Sequence, residues 1–272
     1  MNLAIVDWFG YNLTPQDRMI FIKEAGFSGV LLLWADYFDN DFKLFPDYAR
    51  KVGLNIENAH APYLNANDLW KNNINGQDYL QKIIDCVEDC ANYGVPTLVL
   101  HLENKKGNEK VELPENYCVG VERLKKIIDI AEKNNINIAV ENMSRYEFLD
   151  CVFENIQSKR LGFCFDSGHC NLFTPNLDLL TLYGNKLMAL HLHDNDNIED
   201  LHLLPFTGKI NWSEIALKLN KISFNGAIAL EVGNTKFEHI KEPKEYLKFA
   251  VKSAEKIYKT KMEYGHTSHN KR

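Results

Sequence analysis

The chain has 272 residues, a formal net charge of −6, 45% hydrophobic residues and 25% charged residues. This is an ordinary globular composition, and no apolar run approaches the ~20 residues of a membrane span. The acidic balance disfavours a broad electrostatic footprint for nucleic acid, while leaving room for a local basic groove.

The chain opens on a short apolar run, Leu3–Val6. Further runs follow at Gly29–Trp34, Leu54–Ala59, Thr97–Leu100, Ile138–Val140, Leu161–Phe165, Met188–Leu190 and Ala227–Leu230. All but Leu54–Ala59, which carries Asn55, Glu57 and Asn58, are leucine-rich or β-branched without polar alternation, the pattern of parallel strands buried on both faces. The intervening stretches are long enough for a helix and its turns. Thr14 with Pro15 opens the first helix and Gly26 closes it, while Gly53 and Gly94 close later ones. The last long helix is predicted from Pro243 to about Tyr258, with Leu247, Ala250, Val251 and Ala254 as its packing stripe. Eight strand-helix repeats predict a single-domain α/β (β/α)8 TIM barrel over residues 1–261, close to the typical ~250 residues of that fold. The polar stretch 262–272 is expected to be a disordered tail, and its His266 and His269 are not expected to be ligands.

In a barrel of this kind the C-terminal strand ends open on one face, where the active site lies. Six predicted strands run into His60, His101, Glu141, Asp166, His191 and Glu231. His169 follows Asp166 across a glycine turn, and Asp200 and His202 follow the seventh strand. Clustered carboxylates are costly unless a cation or a paired charge offsets them. The mixture of His, Asp and Glu without thiolates suits a divalent metal, Zn2+, Mn2+, Co2+ or Fe2+. His193 shares a strand face with His191, and its favoured reading is a partner that holds a ligand by its ring nitrogen.

The aromatic residues Trp8, Phe9, Trp34, Tyr37, Tyr63, Trp70 and Phe206 fall in loops expected on the mouth side. Of these, Trp8, Trp34 and Tyr63, together with His193 and Lys209, are candidate substrate-binding residues. Core packing for each aromatic, and a solvated loop position for Lys209, are the competing readings. The six cysteines include no CxxC and read as reduced structural thiols, with Cys170 placed to touch the mouth. The opening Met-Asn-Leu-Ala-Ile-Val-Asp lacks the features of a signal peptide, so a cytoplasmic location is expected, with no membrane partner. A homo-oligomer stays open.

The ordered set His60-Ala-Pro-Tyr63, His101, Glu141-Asn142, Asp166-Ser-Gly-His169, His191-Leu-His-Asp194, Asp200-Leu-His202, Gly208-Lys-Ile and Glu231 resembles the xylose isomerase-like barrels over nearly the whole chain. That superfamily contains sugar isomerases and epimerases together with endonuclease IV-type repair enzymes. The epimerase resemblance implies one divalent ion on Glu141, Asp166, His191 and Glu231. It also implies that Glu141 and Glu231 are the catalytic pair, exchanging a proton next to the metal-bound carbonyl of a small ketose, polyol or sugar phosphate. Where those epimerases usually carry an arginine after strand seven, this chain has Asp200 and His202. The endonuclease resemblance implies up to three zinc ions. One would sit on His60, His101 and Glu141, a second on Glu141, Asp166, His191 and Glu231, and a third on His169, Asp200 and His202. The acidic stretch after Trp34 argues against a phosphate backbone there. An isomerase or epimerase acting on a small carbohydrate is the leading expectation. An apurinic/apyrimidinic endonuclease is the alternative, and a sugar dehydratase or lyase sharing the first proton abstraction is the second alternative. A carbohydrate-binding barrel without turnover is the non-enzymatic class.

Overall fold

A computed structural model of the chain describes residues 1–35, 39, 41–105 and 111–269. The strands are β1 Leu3–Val6, β2 Gly29–Leu33, β3 Asn55–His60, β4 Thr97–His101, β5 Asn137–Glu141, β6 Leu161–Asp166, β7 Leu187–His191 and β8 Ile228–Leu230. The helices are α1 Pro15–Ala25, α2 Phe45–Lys51, α3 Ile74–Tyr93, α4 Cys118–Asn134, α5 Glu147–Asn155, α6 Ser167–Phe173, α7 Leu179–Tyr183, α8 Trp212–Lys221 and α9 Pro243–His269. The strands pair in parallel in the order β7-β6-β5-β4-β3-β2-β1-β8. A parallel bridge between Leu192 and Leu230 closes the ring, carried by Leu192 N–H to Ala229 at 2.9 Å and Glu231 N–H to Leu192 at 3.1 Å. The result is a single (β/α)8 barrel.

Local chemistry explains the helix ends. Thr14 Oγ1 accepts from Asp17 N–H at 3.2 Å with Pro15 in the first turn, and Gly26 ends α1 in the left-handed region at φ 106°. Asn73 caps α3 through Gly76 N–H, and Gly94 ends it at φ 64°. α9 runs past the expected Tyr258 to His269. Its packing stripe continues through Ile257 to Lys261, both buried, and Asn220 of α8 donates to the Lys261 carbonyl at 3.0 Å. A lysine as a stripe member hid that continuation in the sequence, since its stem packs while its charge reads as solvated.

The barrel interior decides where the site sits. Val99, Ala139, Cys164 and Ala189 form a small buried cluster inside the ring. Side chains two residues apart share a strand face, so His101, Glu141, Asp166 and His191 stand directly above that layer. Ladder pairs His101 with Glu141 and Asp166 with His191 hold them at one level. Because the ladder extends that far, these residues end the strands rather than begin the loops.

Candidate active site

Among the described residues, four groups each bring their ligand atoms within 4.8 Å of one another: Glu141, Asp166, His191 and Glu231; His60, Glu141 and His191; Asp166, His169 and His193; and His193, Asp200 and His202. The first group contains the four residues expected to hold a single ion. His191 Nδ1 lies 3.1 Å from Glu141 and 3.3 Å from Glu231. His60 Nε2 and His101 Nε2 are 3.0 Å apart and lie 3.6 and 3.5 Å from the same Glu141 oxygen. Asp200 lies between His169 and His202, 3.3 and 3.4 Å from their Nε2 atoms.

Each of four histidines has one ring nitrogen fixed by an oxygen that only accepts. Nδ1 of His60 donates to the backbone carbonyl of Ala61 at 2.8 Å, Nδ1 of His169 to that of Asn142 at 3.1 Å and Nδ1 of His202 to that of Glu231 at 2.8 Å. Nε2 of His191 faces the side-chain oxygen of Asn58 at 3.4 Å. The opposite nitrogen of each ring is thereby aimed at the carboxylates, the arrangement that orients metal-ligating imidazoles. Both Glu141 oxygens and His191 Nδ1 are buried without a hydrogen-bond partner. Orphaned buried acceptors facing one point are the signature of a cation site, so these donors fit a divalent metal.

Charge makes the same point. Burial opposes ionisation of Glu141 and Glu231, yet the neighbouring histidines outweigh it and hold both carboxyls below the usual range. Burial, then His101, lowers His60 to about 4. His169 and His191 are pushed above the usual range against burial, and His202 to about 10, by surrounding anionic partners. Carboxylates packed this closely draw positive charge into the site, as protons or as a metal ion.

The remaining candidates separate by position. Tyr63 lines the mouth with His60 and His101, its ring 5.0 Å from that of His101. Trp8 is 42% exposed at the mouth rim. His193 is fully buried, donates to Asp166 at 3.1 Å and lines neither mouth cavity; it holds a carboxylate instead of facing a substrate. Trp34 is a correction to the expected rim. It is buried between the strands and α3, its Nε1 donating to Asp89 at 3.4 Å and its ring against Tyr93, because β2 ends one residue earlier and turns the indole outward under the helix layer. Phe9 and Trp70 are also core residues, and Phe206 lies half-buried beneath Lys256. Lys209 lines a separate groove between α6 and α8, together with Cys170, which approaches Leu177 and whose thiol burial pushes up to about 11. Tyr37 lies outside the described residues.

Asp7 was not singled out by the sequence reading. It directly follows β1, as Glu231 follows β8, and it is buried with Oδ1 accepting from Leu33 N–H at 3.3 Å and Oδ2 unpartnered. Asp194, within the His191–Asp194 motif, is structural. It accepts from Phe206 N–H, Ile210 N–H and Trp212 Nε1 at 3.0, 3.1 and 2.8 Å, tying down the loop that carries Asp200 and His202.

A model of the xylose isomerase-like TIM barrel family matches residues 20–260. The chain belongs to that family. It is 30% identical over 192 residues to an uncharacterised protein of Sinorhizobium fredii, a match covering 64% of this chain and 61% of that relative. The chain thus spans about three fifths of that relative's length. It is 28% identical over 121 residues to a D-psicose 3-epimerase of Enterocloster bolteae, covering 41% of this chain and 38% of the relative. A solved L-ribulose 3-epimerase superposes with a TM-score of 0.81 at 14% identity over 98% of both chains, which establishes the shared fold. Among the described residues no helix is long and apolar enough to cross a membrane.

Proposed function

We propose that this protein is a divalent-metal-dependent epimerase or isomerase of a small ketose or polyol. The observation that carries the reading is the convergence of Glu141, Asp166, His191 and Glu231 within 4.8 Å, with buried, unpartnered atoms on Glu141 and His191. A divalent ion held by these four residues supplies Lewis acidity that makes a C–H bond beside a carbonyl acidic enough for a carboxylate to break. Glu141 and Glu231 are both held ionised, as a general base requires. The carboxylate that takes the carbon-bound proton becomes the acid: returning that proton to the neighbouring carbon gives isomerisation, while inversion requires the second carboxyl to have picked up a proton from solvent before it donates to the opposite face of the same carbon. His193 fixes Asp166, and Asn58 fixes the His191 ring, so neither of these proposed ligands needs to reorganise. The mouth cavity of about 510 Å³, lined in part by Tyr63, Leu172 and Phe173, suits a small polyhydroxylated ring.

The test is exchange of a substrate carbon-bound proton in heavy water with metal-loaded protein and a ketose panel. Exchange that Glu231→Gln lowers at least about a hundredfold supports general base catalysis of this kind. Binding without exchange assigns a carbohydrate-binding barrel instead. The nuclease alternative is favoured by one observation, the additional donors His60, His101, His169, Asp200 and His202 around the four. Cleavage of abasic DNA by zinc-loaded protein would select it.

A further inference from the structure

The chamber above the ligands has two lobes, and its second lobe is not needed for the chemistry just described. The first, about 510 Å³, holds Glu141 together with Lys105 and Phe173. The second, about 530 Å³, runs past Val6, Trp8, Leu33 and Asn234. His60, Tyr63, Asp200, His202 and Glu231 line both and form the neck between them. Each lobe alone falls in the ~300–1,000 Å³ range that holds a drug-sized ligand. One small ring against Glu141 therefore fills one lobe only.

We propose that the chamber takes a neutral carbohydrate of two linked rings, the reacting ring against Glu141 and Glu231 and the second ring stacked on Trp8. This rests on the epimerase reading above for the reacting ring, and on the second lobe for the other. Trp8 is built as a platform. The Arg18 guanidinium lies 4.7 Å from its ring centre, and Arg18 is itself buried and held by the Leu13 carbonyl at 3.2 Å and Asp39 at 3.2 Å. One indole face is thus fixed from beneath while the residue stays 42% exposed along the lobe. The electron-rich face of an indole attracts the weakly positive C–H face of a sugar ring, and a ring already immobilised loses little entropy on binding. The lobe's wall chemistry sets the charge. Its described lining contains no lysine or arginine, its basic ring His202 is already paired with Asp200 at 3.4 Å, and Asp200 and Glu231 stand at the neck, so a phosphate or carboxylate on the second group meets carboxylates without a free counter-charge.

Tryptophan fluorescence reads this lobe directly. Trp34, Trp70 and Trp212 are buried at 1%, 8% and 3% exposure, leaving Trp8 as the tryptophan open to a quencher. The metal-loaded protein is titrated with the ketose disaccharides lactulose, turanose and isomaltulose, with fructose, and with fructose 6-phosphate, following acrylamide quenching and affinity by calorimetry. At least one disaccharide is expected to bind roughly tenfold tighter than fructose and to shield Trp8, which fructose leaves open, in line with the energy of one aromatic stacking contact. Trp8→Ala should lower the disaccharide-to-fructose affinity ratio roughly tenfold, and Trp8→Phe should restore most of it. Fructose binding at least as well as every disaccharide, with Trp8 open throughout, overturns the proposal, as does shielding by fructose 6-phosphate alone. Proton exchange in heavy water on the same sugars separates the two readings. Exchange with fructose but no shielding by any disaccharide removes the second-ring site and leaves the epimerase reading standing. Shielding without exchange keeps the second-ring site and removes the epimerase chemistry.

Discussion

Nε2 of His60 stands 3.0 Å from Nε2 of His101, and the Nδ1 proton of His60 is committed to the Ala61 carbonyl. Only one proton can lie between two such nitrogens, and both also face the same Glu141 oxygen. A cation accepting both lone pairs resolves the contact, and the same logic applies to Asp200 between His169 and His202. The expected outcome is more than one ion per chain in the wild type. His60→Ala and His202→Ala should each lower the metal content by elemental analysis while circular dichroism keeps the barrel signature. Unchanged stoichiometry in both variants would leave a single ion on Glu141, Asp166, His191 and Glu231, with the extra histidines serving substrate.

Asp7 gives the fold a pH dependence of its own. Burial, only partly offset by Arg18, pushes its carboxyl from 3.8 up to about 7. A raised folded-state pKa on an acid means that the folded chain prefers the protonated form. The associated stability is therefore full below about pH 4 and is lost as pH rises through about 7. Asp7→Asn keeps the acceptor for Leu33 N–H and removes the charge. Between pH 5 and 8 the wild type should lose on the order of 2–3 kcal/mol more stability than the variant in urea melts. Parallel pH profiles for the two proteins would show that Asp7 ionises in the folded state as freely as in solution.

Most of the barrel and the cluster of His, Asp and Glu at its mouth was legible because one physical rule covers both. A strand buried on both faces must be a continuous apolar run, so the first polar residue after it stands out, and in a parallel barrel every such residue lies on the same rim. His101, Glu141, Asp166, His191 and Glu231 stand out this way, whereas His60 ends a strand interrupted by Asn55, Glu57 and Asn58 and is marked by residue type and its Ala-Pro-Tyr sequel. Asp7 obeys the rule too, but Val6-Asp7 belongs to none of the motifs that carry the family resemblance, which single out Glu141 and Glu231. The aromatic rim was less legible. Trp8 and Trp34 each follow a strand by one or two residues, and sequence spacing does not say which indole turns into the mouth and which turns under α3. That is set by where each ladder ends and by Arg18 and Asp89, contacts distant in the chain. Lys209 was misplaced for a related reason, since the loop from Leu192 to Ile210 is folded around Asp194, and its path follows from long-range hydrogen bonds that no local pattern announces.

Gly168 connects that loop to the ligand ring. A Cβ at this position would overlap the ring of His193, whose Nε2 donates to Asp166 at 3.1 Å. Asp166 in turn accepts from His169 N–H at 2.7 Å and so fixes the first turn of α6 as well as one face of the proposed metal site. Gly168→Ala displaces the imidazole, not the barrel strands, because the clash is with a side chain above the Ala139, Cys164 and Ala189 layer. Metal affinity should fall roughly 10–100-fold, the usual effect of disturbing a group that orients a ligand. His193→Ala, which removes both the clash and the hydrogen bond, should weaken metal binding to a similar degree, and adding Gly168→Ala to it should cost little more. Competition with a metallochromic chelator measures all three variants. A Gly168→Ala protein that binds metal like the wild type would mean that His193 has room to retreat without releasing Asp166.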